Sequence, residues 1–151
     1  MNNSEGIKSI LSEQVAGYRT LLEILRRERE CLVHFNPVGV EALSKEKDTI
    51  VLKLKLLEEE RIRLVRAFCA DLRIPEQSAL QKLGEVTGDS AFQSLRLQLI
   101  SLLQGIMELN EFNRVLIERS SSVVKNTLTF LGSLGNTTST NSNGTLFSRE
   151  A

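Results

Sequence analysis

The chain has 151 residues, 41% of them apolar, and its 19 basic side chains balance 19 acidic ones. That length suits one domain, and six Phe, one Tyr and no Trp suit aliphatic helix seams better than a deep aromatic ligand pocket. A net charge of zero removes the global attraction for phosphate backbones and anionic lipid, so nucleic acid is excluded as an expected partner.

Met1-Asn2-Asn3-Ser4-Glu5-Gly6 has neither the basic nor the apolar region of a secretory signal. No run of about 18 uninterrupted apolar residues is present to span a bilayer. A cytoplasmic protein without stable membrane insertion is the expectation. Cys31 and Cys69 stand in helical patterns, with no CxxC spacing, and read as reduced thiols.

From about Glu5, the residues Ile7, Leu11, Gln14, Tyr18, Leu21, Leu25, Glu28 and Leu32 advance in alternating steps of four and three, which holds them on one stripe of a helix. His34-Phe35-Asn36-Pro37 ends it, because Pro37 lacks an amide donor and pushes Asn36 out of the helical region. A second series, Leu43, Lys47, Ile50, Leu54, Leu57, Arg61, Leu64 and Phe68, predicts a helix from about Val38 to Leu72, antiparallel to the first. On its outer face Glu59 to Arg63 and Glu58 to Arg61 are spaced as helical ion pairs. Lys47 and Arg61 occupy seam positions, where their stems can be buried with the charge brought to the edge, or where they contact a partner.

Arg73-Ile74-Pro75 stops the second helix, and Glu76 to Leu83 predicts a two-turn linker helix before Gly84. Asp89 or Ser90 then offers an N-cap. The longest pattern follows: Phe92, Leu95, Leu99, Leu102, Ile106, Leu109, Asn113, Leu116, Ser120, Val123, Thr127 and Phe130 keep one register. Leu97, Ile100, Leu103, Met107, Phe112, Ile117, Val124 and Leu128 lie beside that seam, so this helix is expected to touch more than one neighbour. Asn113 on the seam, with Asn110 before it, is spaced to fix helix register or to recognise a partner. The fold class is therefore all-α: three long antiparallel helices in a coiled-coil-like bundle at residues 1–135, a short linker helix, and a flexible polar tail at 136–151.

No catalytic or cofactor chemistry has a foothold, so no enzyme activity, metal or cofactor is expected. His34 is the only histidine, and neither GxxxxGK[ST] nor GxGxxG occurs. Glu58-Glu59-Glu60 lies beside Arg61 and Arg63 and reads as a solvated charged face. At about 1.5 Å per residue the three helices span roughly 45, 52 and 64 Å, so the third outruns the hairpin. Residues 120–134 should then overhang the Asn36-Pro37 corner, carrying Val123, Val124, Leu128, Phe130, Leu131 and Leu134. Such a segment can dock an amphipathic helix of another protein, or it is core or the interface of a homodimer.

Leu43-(x)3-Lys47 and Leu57-(x)3-Arg61 on the second helix, with Leu109-Asn110-(x)2-Asn113-(x)2-Leu116-Ile117 on the third, carry a resemblance. Over residues 7 to 131 the chain resembles the FlgN family of flagellar export chaperones. The resemblance implies a non-catalytic partner of hook–filament junction proteins of the FlgK and FlgL type. It implies that the chaperone binds their C-terminal helical region, prevents premature assembly and assists delivery to the type III export apparatus. Carried onto this sequence together with the overhang, it selects Asn110, Asn113, Ile117, Val124, Leu128 and Leu131 as client contacts. The alternative is a structural coiled-coil adaptor or homodimerisation module with no export client.

Overall fold

A computed structural model describes residues 3–133 and is all-α there, with no strand among the described residues. The expected polar tail at 136–151 and Leu134 lie outside the described residues. Three long helices, α1 (Asn3–Val33), α2 (Pro37–Leu72) and α4 (Ala91–Gly132), have 31, 36 and 42 residues, and the linker holds α3 (Ala79–Thr87) behind a 3₁₀ turn at Glu76–Ser78. The third long helix is continuous through Gly105 and is the longest, as its pattern predicts.

Both ends expected from proline have a specific hydrogen-bonded form. At the end of α1, Asn36 N donates to Cys31 O at 2.8 Å and Phe35 N to Leu32 O at 3.3 Å, with Phe35 at φ 54°. At the end of α2, Ile74 N donates to Cys69 O at 3.1 Å and Arg73 N to Ala70 O at 3.3 Å, with Arg73 also at φ 54°. Both are Schellman closures that satisfy otherwise orphaned carbonyls, built on a residue with a Cβ where glycine is usual. Asn36 then caps α2: its Oδ1 accepts from Gly39 N at 3.0 Å, with Pro37 in the first helical position.

The linker corrects one expectation. Gly84 does not end the linker helix, which runs on to Thr87 and closes at Gly88, in the left-handed region at φ 64° with its amide on Gly84 O. The terminating glycine is the one that supplies the positive φ. Asp89 opens α4: its Oδ1 accepts from Ala91 N at 2.9 Å, and its Oδ2 accepts from Lys8 Nζ at 2.6 Å.

The described chain divides into two units that share the long helices. The first takes α1 up to Leu22 and Asp48–Ile106. Its core joins Ile7, Leu11 and Val15 of α1, Val65, Phe68 and Cys69 of α2, Ala79 and Leu83 of α3, and Phe92 and Leu95 of α4. Burying each of the larger of these side chains is worth about 1.5 to 3 kcal/mol, so the unit is held by apolar burial. α1 and α2 run closely antiparallel here: a Cβ on Gly17 would lie 2.7 Å from a Leu54 methyl, so a larger residue would push the Leu54 side chain aside. Arg61 does not carry its charge out alone; its guanidinium holds Glu58, whose Oε2 also accepts from Gln14 Nε2 at 2.9 Å. Arg63 pairs with Glu60, one residue closer than the Glu59 partner expected.

Two outcomes follow from this geometry. Replacing Arg73, which is exposed, with glycine removes the Cβ penalty at positive φ and should raise stability by about 1 kcal/mol, read as a higher melting temperature by calorimetry. The Arg61 guanidinium holds the Glu58 carboxyl below its ordinary value, and the Lys8 ammonium, with the Ala91 amide, does the same for Asp89. A depressed folded pKa adds stability that is complete above the unfolded value and is lost as pH falls through the folded one. The double variant Glu58→Gln/Asp89→Asn should therefore lose less melting temperature than the native chain between about pH 5 and about pH 2.

Candidate docking surface

The second unit takes Glu23–Lys47, from the last turns of α1 through the first turns of α2, and α4 from Met107 onward. Its buried apolar residues are Ile24, Leu25, Leu32, Val40 and Leu43, and its buried polar ones are Glu28, Ser44, Lys47, Asn113 and Ser120. Half of this interior is polar, in contrast to the first unit.

The polar residues meet at one level. The Glu28 carboxylate, 2% exposed, accepts from Lys47 Nζ at 2.7 Å on one oxygen and from Asn113 Nδ2 at 2.9 Å on the other. Asn113, 1% exposed, also donates to the backbone oxygen of Leu25 at 2.9 Å. One acid from α1, one base from α2 and one amide from α4 thus lock three helices. Lys47, 8% exposed, does not snorkel to the edge as its stem would allow; it ends on a buried carboxylate. Both Asn113 amide hydrogens are used, so its Oδ1 faces inward without a hydrogen-bond partner among the described residues. An unpaired buried acceptor costs about 1 to 3 kcal/mol. The spacing of Lys47 and Asn113 identified two of the three groups; Glu28 was visible only as a charged residue on the α1 stripe.

From this level the inward face of α4 continues through Asn113, Ile117, Ser120, Val124, Leu128 and Leu131, in steps of four, three, four, four and three. Burial on that face stops after Ser120, the last buried residue of α4. Val124 is half-buried, Leu128 is 50% exposed and Leu131 47%, with Val123 at 55% and Phe130 at 65% on the flank. The overhang therefore begins one residue later than its expected Ser120 start. Among the six expected contacts, Asn110 and Ile117 are half-buried, while Asn113 is sealed inside the polar layer and offers no accessible surface. The structure brings Val124, Leu128 and Leu131 together and adds Val123 and Phe130, apolar residues of the overhang that the six contacts did not include.

The flank running through Leu97, Ile100, Leu103, Met107 and Phe112 was expected to meet a neighbour. These residues are exposed instead. His34 stands in the open at the α1 end, its Nε2 3.7 Å from Glu30. Among the described residues no group of three or more His, Cys, Asp or Glu side chains is placed to hold a metal, and no helix is long and apolar enough to cross a membrane.

A helical chain whose longest helix ends in an uncovered apolar face, bearing the Asn-(x)2-Asn-(x)2-Leu-Ile run, is matched over residues 1–145 by the family model of the FlgN protein. The chain belongs to the FlgN family, the flagellar export chaperones. No curated protein and no solved structure matches it. FlgN is a family of chaperones rather than enzymes, and it acts on flagellar export substrates.

The polar layer makes a specific energetic outcome. Lys47→Met or Glu28→Leu alone strands a buried charge and should cost about 3 to 5 kcal/mol in urea denaturation. The double variant Glu28→Leu/Lys47→Met removes both charges and should recover part of that loss, the Asn113 amide hydrogen that Glu28 accepts being left unpaired.

Proposed function

We propose that this FlgN-family chaperone binds the C-terminal helical region of hook–filament junction proteins in the cytoplasm, keeps it from assembling early and hands it to the type III export apparatus. The binding surface is the end of α4, with Val124, Leu128 and Leu131 at its centre and Val123 and Phe130 beside them. The observation that carries this reading is that the inward face of α4 loses its cover after Ser120 while its apolar residues continue. An amphipathic client helix presents an apolar stripe that would self-associate in water, and a preformed helical face buries that stripe without chemistry, as reversible delivery requires. Ile117 and Asn110 form the half-buried approach to this face. Asn113 supports it from within the bundle.

A second reading, homodimerisation along α4, draws on the exposed Leu97, Ile100, Leu103 and Met107. It predicts a mass that rises with concentration and no preference for flagellar clients.

Leu128→Ser/Leu131→Ser should weaken binding of a purified junction-protein C-terminal segment at least about tenfold by calorimetry, the scale expected for losing two buried leucine contacts. The melting temperature should stay within about 2 °C, because both side chains are half exposed already. Unchanged affinity in the folded variant would remove the end of α4 as the client site.

A further inference from the structure

The 3₁₀ turn that opens the linker leaves a gap in the first unit. None of its residues, Glu76, Gln77 and Ser78, is buried, so the turn adds no apolar side chain to the core. Ala79 follows, buried but carrying only a methyl. The result is a cavity of about 150 Å³, lined by Ile7 and Leu11 of α1, Val65 of α2, and Ala79, Leu80 and Leu83 of α3. All of these except the half-buried Leu80 are buried core residues. Arg61, Glu76 and Gln77 complete the lining, and the exposure of Glu76 and Gln77 marks the side open to water.

Size and charge together define what fits. Sites for whole small molecules run from about 300 to about 1,000 Å³, whereas a cavity of about 150 Å³ holds one benzene-sized group. Its apolar wall lacks dispersion partners, so a group that enters makes contacts the chain itself does not supply. The charges at the rim are already matched: Arg61 is held on Glu58, and Glu76 accepts from Arg66. A charged occupant therefore finds no counter-ion there. The Gln77 amide makes no hydrogen bond among the described residues, and an amide can both donate to and accept from a peptide group.

We infer that this cavity is an anchor site for one neutral apolar side chain, of leucine or phenylalanine size, carried on a peptide segment of a partner protein. The side chain fills the space lined by Leu11, Val65 and Leu83, and Gln77 pairs with the peptide group beside it. The site lies wholly within the first unit and does not depend on the client reading of the end of α4.

The test titrates the methyl-labelled full chain with N-acetyl-leucinamide and N-acetyl-alaninamide, read by NMR. The leucine probe should shift the methyls of Ile7, Leu11, Val65 and Leu83 saturably, with a Kd below about 10 mM. The alanine probe, three buried carbons smaller, should bind at least about tenfold more weakly. Ala79→Leu fills the cavity from within and should abolish the shifts, while the smaller Ala79→Val should weaken binding at least about threefold. Circular dichroism melts verify that each variant is folded. No saturable shift up to about 50 mM, equal binding of the two probes, or shifts that persist in folded Ala79→Leu each overturn the site. Two further results assign the cavity to another occupant and overturn the peptide anchor. One is benzene saturating these methyls where the leucine probe does not. The other is a chain ending at Ser133 that binds the leucine probe at least about tenfold more tightly, which would mean that residues 134–151 fill the cavity.

Discussion

The buried contact among Glu28, Lys47 and Asn113 fixes what the rest of the second unit can do. Apolar helix faces slide past one another at little cost, because one leucine replaces another in the same groove. A carboxylate that needs an ammonium from one helix and an amide from another has one arrangement that satisfies it, and any slip leaves a charge buried and unpaired. Such a layer contributes little net stability, since desolvating the charges offsets most of their attraction. Its effect is on alignment. Asn113 reads the backbone of α1 at Leu25, so the rotation and height of α4 in this unit are set at that level, and every residue further along the helix inherits the setting.

That inheritance links the interior to the surface. α4 has no break between Asn113 and Leu131, so the polar layer determines which side chains face inward after α1 has ended at Val33 and α2 has begun at Pro37. The Phe35 closure and the Asn36 cap make the turn between α1 and α2 short, and the hairpin stops there while α4 continues. Division of labour follows between the units. The first is stabilised by an apolar core drawn from all four helices, which carries the cost of a second unit half filled with polar groups. The second leaves apolar residues uncovered at its end, the property a capture surface needs and a self-sufficient core lacks.

Most of this could be read from the sequence wherever periodicity was long. The three long helices, their order and the excess length of the third follow from unbroken steps of three and four, and Pro37 and Pro75 mark the corners. Legibility fails where two local signals compete. Gly84 looks like a stop, but it sits mid-helix with free space around it, and Gly88 supplies the positive φ that ends α3. Lys47 on a seam allows either a buried pair or a snorkelled stem, and the choice depends on Glu28, a residue of another helix. Asn113 matched both a register role and a contact role for the same reason; its burial is a property of three helices together. The flank at Leu97 to Phe112 shows the opposite failure: apolar width in a sequence states a capacity for contact, while cover depends on how many helices the chain supplies.

Hydrogen exchange along α4, with and without a junction-protein C-terminal segment, addresses the central claim most directly. The account predicts that client addition slows exchange after Ser120 and leaves the amides around Asn113, already held by the polar layer, unchanged. Protection appearing instead over Leu97 to Met107, with residues 121–133 unaffected, would contradict it.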